Sequence, residues 1–197
     1  MVTTLSTLDP RAPLVLDTRE LGRRPGSQRR LFRSVPAPAG LGIGVVGVPV
    51  GSPVQLELRL EAVMEGVLVT GAARARVVGE CARCLTAVEE ELEVDLQELY
   101  AYDDPDAARV EDDETSRLHG DYLDLGPLVR DELVLALPFG PLCQQACPGL
   151  CPDCGARLAD DPEHSHGEQV DPRWAGLAAL TDRVSTGRDR APGTEEE

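Results

Sequence analysis

The chain has 197 residues, 42% hydrophobic but only 3% aromatic, and its 19 basic and 35 acidic residues give a formal net charge of −16 at pH 7. Such a length allows one domain, or one domain with a small appended module, on a core of Leu, Val and Ala. So acidic a chain repels nucleic acid unless its cations are segregated, and every one of the 19 is arginine.

The opening stretch MVTTLSTLDPRAPLVLDTREL has no charged start ahead of a long apolar run, so no secretory signal is expected. Residues 19–33, RELGRRPGSQRRLFR, then gather six arginines against one glutamate and read as a basic arm. Within it Arg23, Arg24, Arg29 and Arg30 flank the turn-forming PGSQ, which displays two arginine pairs on a loop suited to phosphate contact. A Pro-rich VPAPAG follows, and a Gly/Val stretch that can supply one strand. GIGVVG within it has glycine spacing close to a dinucleotide fingerprint but lacks the strand–helix setting.

From Val54 to Tyr102 the pattern has period two, the signature of half-buried strands. Leu56, Leu58 and Leu60 fall on one face, and so do Leu92, Val94 and Leu96 further on; Gly71 reads as a turn between two strands. The CARC element is placed at a strand tip. Residues 103–117 carry seven acids and two arginines without hydrophobic period and read as a solvated loop. DLGPLVRDELVLALP has apolar residues at 125, 128, 129, 133, 136 and 137, a helical stripe capped by Asp124, with Pro127 in its first turn and Pro138 ending it. A second short helix is expected in DPRWAGLAALTDRV, capped by Asp171, and a disordered tail from Ser185. No apolar run is long enough to span a bilayer, so a soluble, cytoplasmic protein without membrane contact is expected.

In a reducing compartment, clustered cysteines point to metal rather than to disulfides. Two thiolates two residues apart can grip one Zn²⁺ from a tight turn. CPDCG is the stronger case, because Pro152 presets the turn and Gly155 can take the positive φ that follows; CARCL lacks that glycine. Eight residues can serve as ligands: Cys81, Cys84, Cys143, Cys147, Cys151, Cys154, His164 and His166. One partition joins Cys81 and Cys84 to Cys143 and Cys147, and Cys151 and Cys154 to His164 and His166. A rival partition joins the two C-x2-C pairs and leaves Cys143 and Cys147 spare. The first is preferred, giving one or two zinc ions. Four-ligand sites keep no position open for water or substrate, so the zinc is read as structural.

No Walker loop or G-x-S-x-G occurs, and the acids alternate along strands as a solvated face, so neither an enzyme nor a small-molecule substrate is expected. The expected fold is α+β: an antiparallel β-rich body with two short helices and a C-terminal cysteine-rich zinc-knuckle module. Its divisions are a body with basic arm and one helix at 1–139, the knuckle module and short helix at 140–184, and the tail at 185–197.

LDTRELGRRPGSQRR, GECARCL, YLDLGPLVRDELVLALP before PLC, CPGLCPDCG and DPRWAGLAAL, in this order over residues 14–184, resemble the YceD family. That resemblance implies a bacterial ribosome-biogenesis factor linked to accumulation of large-subunit ribosomal RNA, whose gene commonly adjoins that of a small zinc-binding ribosomal protein. Where a further C-x-C pair would be expected, this chain has His164 and His166, and histidine can replace cysteine on zinc. The expected role is therefore a non-enzymatic, zinc-braced acidic scaffold for a basic ribosomal protein or pre-ribosomal particle. The alternative is direct binding of ribosomal RNA through Arg23, Arg24, Arg29 and Arg30. A zinc-dependent transcription regulator would need a helix-turn-helix pattern, which the sequence lacks.

Overall fold

The computed structural model describes residues 8–102, 116–166 and 173. The chain divides into two compact units, Met1–Cys147 and Pro148–Glu197.

The first unit is built on three long strands, β5 (Pro53–Ala62), β6 (Gly66–Glu80) and β7 (Ala87–Ala101), hydrogen-bonded antiparallel in that order. β2 (Gln28–Pro36) adds on the free side of β5. The short hairpin β3 (Gly42–Ile43) and β4 (Val46–Gly47) continues along β6 at Val78 and Gly79, where β5 has ended. Period-two burial sorts the two faces as expected for an antiparallel sheet with one wet side. Val54, Leu56, Leu58, Leu60 and Ala62 are buried beside Val67, Val69, Ala73, Ala75 and Val77, with Val94, Leu96 and Tyr100 completing the row.

Over that inner face lie a two-stranded sheet, β1 (Val15–Asp17) with β8 (Tyr122–Asp124), and the helix α1 (Gly126–Ala136). α1 buries Leu128, Val129 and Leu133, and Leu125 and Leu137 at its two ends are buried as well. The sequence stripe is recovered except at Ala136, which is exposed. The cap shifts by one residue. Leu125 takes the N-cap position, while Asp124 Oδ1 accepts from the Gly126 N–H at 2.8 Å. Leu137 is extended at ψ 134°, as a residue preceding proline prefers, and the helix stops there. The Tyr100 hydroxyl donates to the Asp124 carbonyl at 3.0 Å, and burial pushes its phenol pKa up.

The outer face of the sheet is wet, and ion pairs lace it. Arg59 pairs with Glu61 at 2.6 Å, Arg74 with Glu93 at 2.8 Å and Arg76 with Glu89 at 2.5 Å. Arg74 and Glu93 are direct cross-strand neighbours.

Three expectations are corrected. Gly71 is not a turn, because β6 runs through it without a break. The expected basic arm at 19–33 is a strand from Gln28 onward, where the nine-residue β2 begins. The third correction concerns the fold itself, which is an antiparallel β-rich body with one helix among the described residues. The second expected helix, from Asp171, lies outside the described residues apart from Arg173, as do the acidic loop at 103–115 and the tail. Nor do the described residues from 140 onward form one separate zinc-knuckle module. Cys143 and Cys147 close on Cys81 and Cys84 of the body, and only Cys151, Cys154, His164 and His166 gather in the second unit. No helix among the described residues is long and apolar enough to cross a membrane.

Candidate metal centres

The tip between β6 and β7 is closed by two backbone bonds. The Cys81 N–H donates to the Thr86 carbonyl at 2.7 Å and the Leu85 N–H to the Cys81 carbonyl at 2.9 Å. The same turn recurs in the second unit. There the Cys151 N–H donates to the Ala156 carbonyl at 2.7 Å and the Gly155 N–H to the Cys151 carbonyl at 2.9 Å. In both, the residue after the second cysteine has positive φ, 59° at Leu85 and 73° at Gly155. Leu85 is the one non-glycine residue with positive φ among those described. Its backbone is held where a leucine gains nothing, since the side chain is 56% exposed.

Backbone N–H groups, from this turn and in the first cluster also from Cys143, surround the first sulfur. Those of Cys143, Arg83 and Cys84 lower the Cys81 thiol to about 6, against the opposing effect of burial. Those of Cys154 and Asp153 hold the Cys151 thiol below the usual range. Cys84 is lowered chiefly by the Thr86 hydroxyl, 3.1 Å from its sulfur.

Cys147 ends a single turn after α1, closed by its N–H on the Gln144 carbonyl at 3.1 Å, and Cys143 immediately precedes that turn. The Ala82 N–H to the Pro141 carbonyl at 2.8 Å and Arg83 Nη1 to the Cys147 carbonyl at 3.0 Å dock this turn on the strand tip. The four sulfurs then meet, Cys81 to Cys147 at 3.8 Å and Cys84 to Cys143 at 3.6 Å. These are two opposite edges of a tetrahedron. Metal–sulfur bonds of about 2.3 Å require edges of about 3.8 Å, whereas a disulfide would need about 2.05 Å. Four thiols this close cannot all ionise unaided, and Cys143 is pushed up to about 12, by Cys84 first. A central dication would remove that conflict.

In the second unit the Cys154 sulfur lies 3.2 Å from His164 Nε2 and 3.1 Å from His166 Nε2, and the two nitrogens are 2.9 Å apart. Within each cluster all four ligand atoms lie within 4.8 Å of one another. Asp161 stands 3.8 Å from His164 Nδ1, so the ring meets a carboxylate on one side and offers Nε2 on the other. Carboxylates commonly orient metal-binding histidines in this way. The eight residues singled out in the sequence gather in these two clusters, and beside them stand Asp161, Arg83 and Thr86, which no sequence pattern marks. Only the fold brings these three close to the clustered side chains. The clusters follow the first of the two partitions, and either could hold a metal ion.

The four arginines of the basic segment do not converge. Arg23 reaches Asp121 at 3.8 Å and stacks over Tyr102 at 4.9 Å, while Arg29 pairs with Glu20 at 2.9 Å. Arg24 lies in the turn before β2 and Arg30 on the outer face of the sheet, both exposed.

Residues 69–181 match the family described as large ribosomal RNA subunit accumulation protein YceD. The chain belongs to the YceD family. The matched span holds both cysteine clusters and α1, and it starts after the arginine-rich segment. An uncharacterized Mycobacterium tuberculosis protein is 46% identical over 172 residues, 86% of this chain and 82% of its own length. An uncharacterized Mycobacterium leprae protein is 41% identical over 86% of this chain and 78% of its own length. The uncharacterized Bacillus subtilis protein YlbN is 28% identical over 66% of this chain and 74% of its own length. No solved structure gives a significant match.

The backbone at Leu85 supplies a prediction for this YceD protein. A left-handed non-glycine residue costs about 1–2 kcal/mol, and glycine gives back about 0.5–1 kcal/mol in lost chain freedom. Leu85→Gly is therefore expected to leave stability unchanged or raise it by up to about 1 kcal/mol, read by urea unfolding. A loss of stability would mean that the exposed leucine side chain, not the turn, fixes this position.

Proposed function

We propose that this chain is a non-enzymatic ribosome-biogenesis factor supporting accumulation of large-subunit ribosomal RNA. Its Cys/His clusters hold structural zinc, and its acidic body receives a basic ribosomal protein or pre-ribosomal particle. The observation that carries this reading is the family match, whose span contains every proposed ligand. The net charge of −16 supports a cationic partner and disfavours free nucleic acid. Closed four-donor sites support a structural rather than a catalytic metal.

In this reading Cys81, Cys84, Cys143 and Cys147 bind one zinc, and Cys151, Cys154, His164 and His166 bind a second. The metal supplies a cross-link between segments that hydrophobic burial alone joins weakly. The chain's own part is to preset the sulfurs with backbone N–H groups and, at His164, to orient the ring with Asp161.

Affinity capture from lysate, at low and moderate salt, with and without RNase, tests the partner. A ribosomal protein retained after RNase is the expected result. Loss of every ribosomal component after RNase would overturn the scaffold reading in favour of RNA binding through Arg23, Arg24, Arg29 and Arg30. Exposure of Arg24 and Arg30 favours that second reading, while the ion pairs of Arg23 and Arg29 weaken it.

A further inference from the structure

We propose that the outer face of the four long strands β2, β5, β6 and β7 docks an extended, arginine- or lysine-bearing segment of a basic protein. One cationic side chain of that segment seats over Ala72, between Glu57 and Asp95. This rests on the scaffold reading above and gives it a surface.

Register puts Phe32, Glu57, Ala72 and Asp95 in one row across β2, β5, β6 and β7, all on the outer face. The middle of that face is concave. Thr70, Gly71 and Ala72 form a floor of small residues in a groove of about 420 Å³. Phe32 and Arg30 wall it on the β2 side, Glu93 and Asp95 on the β7 side. Phe32 is 73% exposed, an aromatic ring left in water. Single exposed apolar residues are ordinary, but one on the wall of a groove offers a stem-binding surface.

Charge selects the occupant. Once the ion pairs of Arg59, Arg74 and Arg76 are set aside, Glu57, Glu80, Glu91 and Asp95 remain against Arg30. Among the described residues neither Glu57 nor Asp95 is in an ion pair. They occupy the strands on either side of Ala72, and neighbouring strands lie about 4.8 Å apart. The carboxylates thus stem from backbones roughly 10 Å apart, about the span that a guanidinium or ammonium group fills while touching both. Phe32 can cover the aliphatic stem or meet the cation with its ring. A phosphate in the same place would meet two unpaired carboxylates, and of the three arginines lining the groove Arg59 and Arg74 are already in ion pairs with Glu61 and Glu93. The surplus negative charge therefore favours a cationic peptide over RNA.

The test uses the full chain, ¹⁵N-labelled, titrated with a nonapeptide alternating arginine and threonine. Backbone shifts are expected to centre on Phe32, Glu57, Ala72 and Asp95. Glu57→Gln with Asp95→Asn is expected to weaken the peptide about ten-fold or more, while Glu132→Gln on α1 leaves it unchanged. Phe32→Ala, a change at an exposed side chain, is expected to weaken it several-fold without loss of fold. Shifts centred elsewhere, or wild-type affinity in the double variant, would overturn the proposal. So would oligouridylate occupying this face more tightly than the peptide, or self-association through it on concentration. The peptide stands for any basic segment, so failure here removes the surface and leaves the capture result standing. Failure of the capture removes the ribosomal reading and leaves the peptide result.

Discussion

Cys81→Ser is expected to halve the zinc content from two ions per chain to one and to lower the unfolding midpoint of the sheet by roughly 10 °C or more. Cys81 is wholly buried at the junction of two 15-residue strands, its sulfur 3.8 Å from that of Cys147. A serine there cannot hold the metal, so the segment carrying Cys143 and Cys147 loses its tether to the strand tip. Cys154→Ser is the matched control. It also removes one zinc, but Cys154 is exposed and its cluster lies wholly in the second unit. Described residues 148–166 contain no helix or strand, only turns and the bridge between Leu150 and Arg157. The β signal in circular dichroism should therefore melt within about 2 °C of wild type in Cys154→Ser, well under the shift that a lost core contact produces. Elemental analysis with thermal melts checks both. Absence of zinc from wild-type protein purified without added metal would sink the metal reading. Loss of the sheet in Cys154→Ser would show that the second cluster supports the body.

The two variants also separate what the sequence made legible from what it hid. C-x2-C is a local pattern with a local cause, a tight turn whose backbone serves the sulfurs, so all four residues of the two knuckles were readable. The i, i+4 spacing of Cys143 and Cys147 likewise placed both sulfurs on one side of a turn. What could not be read was the strand at Gln28–Pro36. Its inner positions are Arg29, Leu31, Arg33 and Val35, so two charges interrupt the apolar alternation. Each charge finds a partner that only the fold provides. Arg33 donates to the Pro13 and Val15 carbonyls at 3.1 and 3.2 Å, and Arg29 meets Glu20. Inward charges at the rim are a known way to protect a sheet edge, and they erase the period-two signal that reveals it. The helix cap failed by one residue for a milder reason. Asp124 does bind the helix N-terminus, but through Gly126, from a position still inside β8. Leu85 was discounted for want of a glycine, and its positive φ is imposed by the two backbone bonds around it.

Gly71→Ala is expected to destabilise the body by on the order of 3 kcal/mol, a fall of roughly 6–12 °C in the unfolding midpoint. The sequence makes this glycine look like punctuation; in the fold it sits mid-strand, paired with Leu58 on one side and Leu96 on the other. Its φ of 155° brings the β5 backbone so near that an added Cβ would stand 2.0 Å from the Glu57 carbonyl oxygen and 2.9 Å from the Leu58 Cα. Neither atom is the free end of a side chain, so relief requires the β5–β6 ladder to part. That ladder joins the two most deeply buried rows of the core, and parting it would also disturb the floor under Ala72. Gly26→Ala provides the comparison. Gly26 has φ 87°, and a Cβ there meets nothing within 4 Å. Its cost is the left-handed conformation alone, about 1–2 kcal/mol. Urea unfolding of the two variants separates clash from conformation. A Gly71→Ala protein no less stable than Gly26→Ala would mean that β5 and β6 do not approach as closely as this. An intermediate value, with peptide shifts lost at Ala72 but kept at Phe32, would show that the strands yield locally and that the groove depends on their contact.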